Sequence, residues 1–156
     1  MKGSELSEKI IYEYVEGDVT TSGEEIPEIP VIWLRIRSTN RSAVSPALVD
    51  TGFDGGIYSN DRLPAVFEGE PPTGTATLHQ SAGSVNCEIF LPEVGVVEKG
   101  GNEDTIELGD MPVYIPTRVD ELAENIIVGR RILNRLNLFL EDGKRLEASK
   151  AGKLEG

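Results

Sequence analysis

Apolar residues alternate through "IPVIWLRIRS" (29–38), with Ile32, Leu34 and Ile36 on one side of the chain and Val31, Trp33 and Arg35 on the other. A period of two in β-branched and aromatic residues predicts a strand with one face in a core. "KIIYEYVEG" (9–17) has the same composition and predicts a second strand. The polar "DVTTSGEEIPE" between them, with its Gly and Pro, is a connection. Beyond a turn at "TNRS" (39–42), the short aliphatic run of "SPALVDT" (45–51) predicts the next strand.

"GIYS" (56–59) has room for one short strand, and Pro64 limits "NDRLPAVF" (60–67) to a short helical turn. "GTATLHQ" (74–80) and "SVNCEIFLPEVGVVE" (84–98) read as strands meeting at "SAG" (81–83), the composition of a hairpin tip that stands clear of the body. "TIELGDMPVYIP" (105–116) adds strand and turn. Only "AENIIVGRRILNRLNLF" (123–139) has helical spacing, with Ile132, Leu133 and Leu136 on one face. The expected architecture is all-β: a mostly antiparallel, closed or barrel-like sheet with one helix near the C-terminus. The final stretch "EASKAGKLEG" (147–156) is small and charged with little to bury, and reads as a tail that need not be ordered.

Length and composition narrow the function. The 156 residues suit one domain, and 38% hydrophobic with 27% charged residues is a soluble globular composition. A formal net charge of -12, from 27 acidic against 15 basic residues, argues against nucleic acid and anionic lipid as partners. No apolar run has the length of a membrane span and "MKGSELSEKI" lacks the apolar core of a secretory signal, so the expected location is cytoplasmic. Cys87 and His79 are each the only residue of their type. A disulfide, a thiolate zinc cluster and His-assisted nucleophilic catalysis within one chain are thereby excluded. Cys87 reads as a small, half-buried apolar residue and His79 as a polar strand residue. Carboxylates, hydroxyls and backbone remain for chemistry, with no cofactor or metal expected.

Within "PALVDTGFDGGIYS" (46–59), Asp50 closes the aliphatic run Ala47-Leu48-Val49, where burying an ionised group is costly, and Thr51-Gly52 follow it. By itself the triplet reads more readily as a strand-end aspartate capping the turn of "GFDGG". A second element lies downstream, Ile127-Val128-Gly129, with Arg130 after it. Two such elements, in this order and with a Gly-tipped hairpin between them, resemble the retroviral-type (retropepsin-like) aspartic peptidases, of which this would be a single-domain, non-viral member.

The resemblance spans roughly residues 30–140, leaving 1–29 as an N-terminal extension with its own strand and 141–156 as the tail. It implies that Asp50 is the catalytic aspartate, that the Thr51 hydroxyl locks two active-site loops across a dimer axis, and that Gly52 contacts substrate backbone. Asp54 would bind substrate main chain and pair with Arg130. Residues 74–90 would form a flap over the substrate, touching it through Ser81, Ala82 and Gly83 at the tip, while Ile127, Val128, Gly129 and Arg130 support the active-site loop. A partly buried Asp54–Arg130 pair would make Arg130→Ala cost about 3 kcal/mol or more.

Such hydrolysis needs two carboxylates sharing a proton, one acting on water and the other donating to the carbonyl oxygen. One motif in one chain then calls for a homodimer with a shared active site, acting as an aspartic endopeptidase on peptides or unfolded proteins. The alternative is a non-catalytic peptide-binding or assembly module of the same dimeric fold, holding an extended peptide by strand addition. A metal site from Asp50, Asp54 and Asp61 is a weaker reading that leaves the glycines without a role. Gly52 is expected to supply permissive dihedrals and close approach, and Gly55 and Gly56 a turn. Phe53, where a small residue is usual in the family, would either narrow a pocket or fill core space.

Overall fold

In a computed structural model of the chain, the described residues are 9–15, 23, 27–80, 83–101 and 105–151. Strand β2 (Val31–Arg37) realises the alternation read from sequence: Ile32, Leu34 and Ile36 have no exposed surface, while Trp33 and Arg35 are half-buried on the other face. β3 (Ser42–Val49) pairs antiparallel along one edge of β2, and β7 (Glu93–Val97) along the other. β8 (Thr105–Asp110) follows β7. On the far side of β3 come β10 (Ile126–Val128), β4 (Ile57–Tyr58), β9 (Val113–Pro116), β6 (Gly83–Phe90) and β5 (Gly74–Gln80), completing a nine-stranded sheet.

Its pairings are antiparallel except β3–β10 and β4–β9, which are parallel. The terminal strands β5 and β8 do not pair, so hydrogen bonding does not close the sheet expected to be barrel-like. The β5–β6 hairpin is the reason. β6 pairs with β9 only through Cys87–Phe90, and the distal part of the hairpin projects away from the rest of the sheet.

A three-stranded sheet is built from both ends of the chain, with β12 (Arg145–Lys150) between β1 (Lys9–Glu13) and β11 (Leu136–Glu141). This corrects the expected tail. Leu146 and Ala148 are completely buried, so β12 is a central strand; residues 152–156 of the tail lie outside the described residues. The Tyr12 hydroxyl donates to the Val97 carbonyl at 2.5 Å and ties this small sheet to the large one. Burial, offset in part by a backbone hydrogen bond, pushes that phenol well above its ordinary range.

The helix expected over 123–139 shrinks to α1 (Arg130–Leu133). Ile126–Val128 are a strand because they fill the gap between β3 and β4, and Leu136–Glu141 are a strand because they pair with β12. Three elements in succession imitate one helical stripe. The single strand-like run 84–98 is broken at Leu91–Pro92 into β6 and β7, as a proline lacking its N–H favours. Pro64 opens a 3-10 turn over Leu63–Phe67, and Phe67 stacks on Phe90 with ring centroids 4.6 Å apart in the core. The chain is thus all-β with one short helix, and among the described residues no helix is long and apolar enough to cross a membrane.

Candidate active site

β3 is held between β2 and β10, with Ala47 wholly buried, and Asp50 is the first residue past its end. Backbone bonds fix the departure: Asp50 N–H donates to the Val128 carbonyl at 3.0 Å, and Phe53 N–H donates back to the Asp50 carbonyl at 3.2 Å. The Asp50 carboxylate is exposed and accepts from Gly52 N–H at 2.9 Å. The cost that the sequence raised is therefore avoided, since the strand is buried and its terminal charge is not. Thr51 is exposed, and its hydroxyl has no hydrogen-bond partner among the described residues.

The second element lies directly against this loop. β10 runs parallel to β3 with Ile127 beside Leu48 and Val128 beside Val49. Three successive amides then donate into the loop: Gly129 to the Gly56 carbonyl at 2.8 Å, Arg130 to that of Phe53 at 2.8 Å, and Arg131 to that of Gly55 at 3.1 Å. Gly129 is required by space alone. A Cβ there would lie 2.5 Å from the carbonyl oxygens of Gly55 and Phe53.

Gly55 and Gly56 form the expected bend into β4 and also serve the same end as Gly129. Neither has positive φ, and added Cβ atoms would meet Tyr114 Cε1 and the Pro112 carbonyl, each at 2.6 Å. Gly52 likewise lacks positive φ, so permissive dihedrals are not its contribution; a Cβ there would press to 3.3 Å from Asp50 Oδ1. Arg130 forms the anticipated ion pair with Asp54. The expected partial burial is absent, since the two side chains are 50% and 84% exposed.

Phe53 turns inward and meets Tyr58 and Tyr114 edge to face, at centroid distances of 6.1 and 6.0 Å. It both fills space beneath the loop and lines a cleft of about 770 Å³ in front of Asp50. The floor of that cleft is Asp50, Gly52, Phe53, Asp54 and Gly55, and its roof is Thr77–Gln80 of β5. Tyr114 and Arg131 flank it. The hairpin roof is braced across its strands, with Thr77 Oγ1 donating to Asn86 Oδ1 at 2.9 Å and His79 Nδ1 lying 3.2 Å from Ser84 Oγ. Of the tip residues, Ser81 and Ala82 lie outside the described residues; Gly83 begins β6 at φ +136, a conformation that favours glycine.

Thr77–Gln80 fall within the stretch 74–90 expected to cover the site, though not at its tip; sequence reasoning missed Tyr114 and Arg131 as lining residues. Arg131 had a signal, since it follows the glycine motif directly; Tyr114 reaches the site only through the β4–β9 pairing. Behind the cleft, the Tyr58 hydroxyl donates to the Glu121 carbonyl at 2.6 Å, and burial, with Cys87 and Glu121 nearby, pushes it up to about 12. Burial, with Glu121 adding to it, likewise pushes the Cys87 thiol up to about 11. Asp50, Asp54 and Asp61 do not converge: among the described residues no three His, Cys, Asp or Glu side chains could hold a metal ion.

No family model matches the chain, and no curated protein matches it. Among solved structures, that of a retropepsin-like aspartic protease from Rickettsia conorii is similar to it, at 14% identity and a TM-score of 0.48, covering 96% of this chain and 98% of that one.

Proposed function

We propose that this chain is one protomer of a retropepsin-like aspartic endopeptidase. The observation that carries the reading is the exposed Asp50 carboxylate, oriented by Gly52 N–H on a loop bonded at three points to Gly129–Arg131, and facing a hairpin across an open cleft. A strand-cap aspartate needs neither the second element nor the roof.

In this reading two protomers meet at the Asp50 loops, where the Thr51 hydroxyl is free to bond across the axis. The paired Asp50 carboxylates share one proton. One takes a proton from water as it attacks the peptide carbonyl, and the other donates to the carbonyl oxygen; collapse of the tetrahedral intermediate breaks the C–N bond as the amine is protonated. Gly52 and Asp54 hold substrate backbone, and Ser81, Ala82 and Gly83 close over it. The substrate is an extended peptide or unfolded protein, and the site needs no metal or cofactor.

The deciding experiment incubates purified protein with reduced, carboxymethylated casein between about pH 4 and 7, the range in which carboxylate pairs titrate, and follows fragments by mass spectrometry. Cleavage lost in Asp50→Asn supports the proposal. Cleavage that persists in that variant removes Asp50 from the chemistry, and an absence of cleavage across the range leaves a peptide-binding module.

A further inference from the structure

The cleft in front of Asp50 does not end at Tyr114. Tyr114 and Arg131 also line a second groove, of about 410 Å³, whose other walls include Leu91, Met111, Asp110 and Arg135. The two concavities therefore adjoin at Tyr114 and Arg131, as the two parts of a surface channel, with Asp50 in the first and Arg135 in the second. Arg131 is tied to the active-site loop through its backbone bond to Gly55, so the channel's second half is positioned by the first.

The charges in that second half are unbalanced. Acidic residues outnumber basic ones 27 to 15 in this chain, and seven described basic side chains, Arg130 among them, have a carboxylate partner. Arg131 and Arg135 have none among the described residues; Arg62, Lys99, Lys144 and Lys150 also have none, but they do not line this groove. Both groove arginines are exposed, Arg131 on α1 and Arg135 in the turn just past its end. Asp110 lies in the same groove and forms no ion pair with either. Two arginines lining one groove with the apolar Leu91, Met111 and Tyr114 make a receptor for a carboxylate next to a hydrophobic group.

We infer that the channel selects peptides with an aspartate or glutamate, next to an apolar residue, a few positions to one side of the segment held at Asp50. The inference rests on the peptide-cleft reading above and adds a substrate class to it.

The test uses dansyl-labelled, C-terminally amidated dodecapeptides with a central Leu-Phe, carrying one Glu, or Gln in its place, at each flanking position in turn. Binding is measured by fluorescence anisotropy on full-length Asp50→Asn protein, which leaves peptides uncut, and on Asp50→Asn with Arg131→Gln and Arg135→Gln added. At some positions Glu should bind about five- to tenfold more tightly than Gln, as expected for partly screened charge pairs. The preference should vanish in the arginine variants, and should collapse for unaltered arginines at about 1 M salt. Equal binding of Glu and Gln peptides at every position overturns the inference, as does a preference that survives loss of both arginines. Cleavage of the same peptides by unmodified protein is scored separately. Glu-selective binding without cleavage sinks the peptidase reading and leaves the acidic selectivity standing; cleavage indifferent to Glu does the reverse.

Discussion

At Gly129 the demand is for room, and the atoms that occupy it are backbone. Gly129→Ala places a methyl 2.5 Å from two carbonyl oxygens of the loop that carries Asp50. It should lower unfolding free energy by about 2–3 kcal/mol, in line with overpacking that side-chain rotation cannot relieve. Gly74→Ala, which meets nothing within 4 Å, should change it by less than about 1 kcal/mol. Urea denaturation of both variants measures the contrast. Arg130→Ala belongs at this scale too. Because Asp54 and Arg130 are both well exposed, the loss should be about 0–1 kcal/mol rather than the 3 kcal/mol a buried pair would imply. A measured loss near the larger value would mean that the pair is covered in the working protein. Asp50, Asp54, Gly129 and Arg130 were singled out through the resemblance carried by Asp50-Thr51-Gly52 and Ile127-Val128-Gly129, and what the structure adds is that the two segments lie against each other. Phe53 was singled out too, but its partner Tyr114 was not, since their contact depends on strands β4 and β9 lying side by side.

At the scale of elements, β2 and the β5–β6 hairpin follow from alternation and a glycine-containing turn, both local signals. The last third of the chain has no such clarity. Val128 and Ile132 are fully buried from a strand and a helix, and Leu136 is buried from another strand, so their spacing reads as one helix when their environments are three. β12 was hidden for a different reason: its side chains are mostly small or charged, and its partner β1 lies at the opposite end of the chain. The structure makes the two accounts separable. Leu146→Ala should cost about 2–5 kcal/mol as a cavity in a wholly buried position, and removal of residues 145–156 should abolish cooperative unfolding. A dispensable tail would show neither effect in thermal or urea melts.

For the whole molecule, alkaline pH is the sensitive side. Cys87 rises from 9.0 to about 11 and Tyr58 from 10.0 to about 12, so in both cases the folded state keeps its proton longer than the unfolded one. Stability from these groups is fully present below about pH 9, and declines as pH climbs through 9–11 for the thiol and 10–12 for the phenol. Urea midpoints at stepped pH should fall over that window, and Cys87→Ser should flatten its lower part. Assembly also belongs to this scale. Sedimentation should reveal a concentration-dependent dimer that Asp50→Asn retains, because the proposed Thr51 contacts do not need the carboxylate's charge. A strict monomer at high concentration would deny Asp50 its partner.

The three-stranded sheet has a consequence for the order of events in synthesis. Lys9 pairs with Ser149, and Tyr12 of the same strand bonds to Val97. β1 therefore precedes every strand of the large sheet in the chain yet cannot find its neighbour until β12 has followed them, and until then its backbone donors and acceptors have no ladder to join. During synthesis the large sheet can assemble before the small one, with β1 waiting for β12.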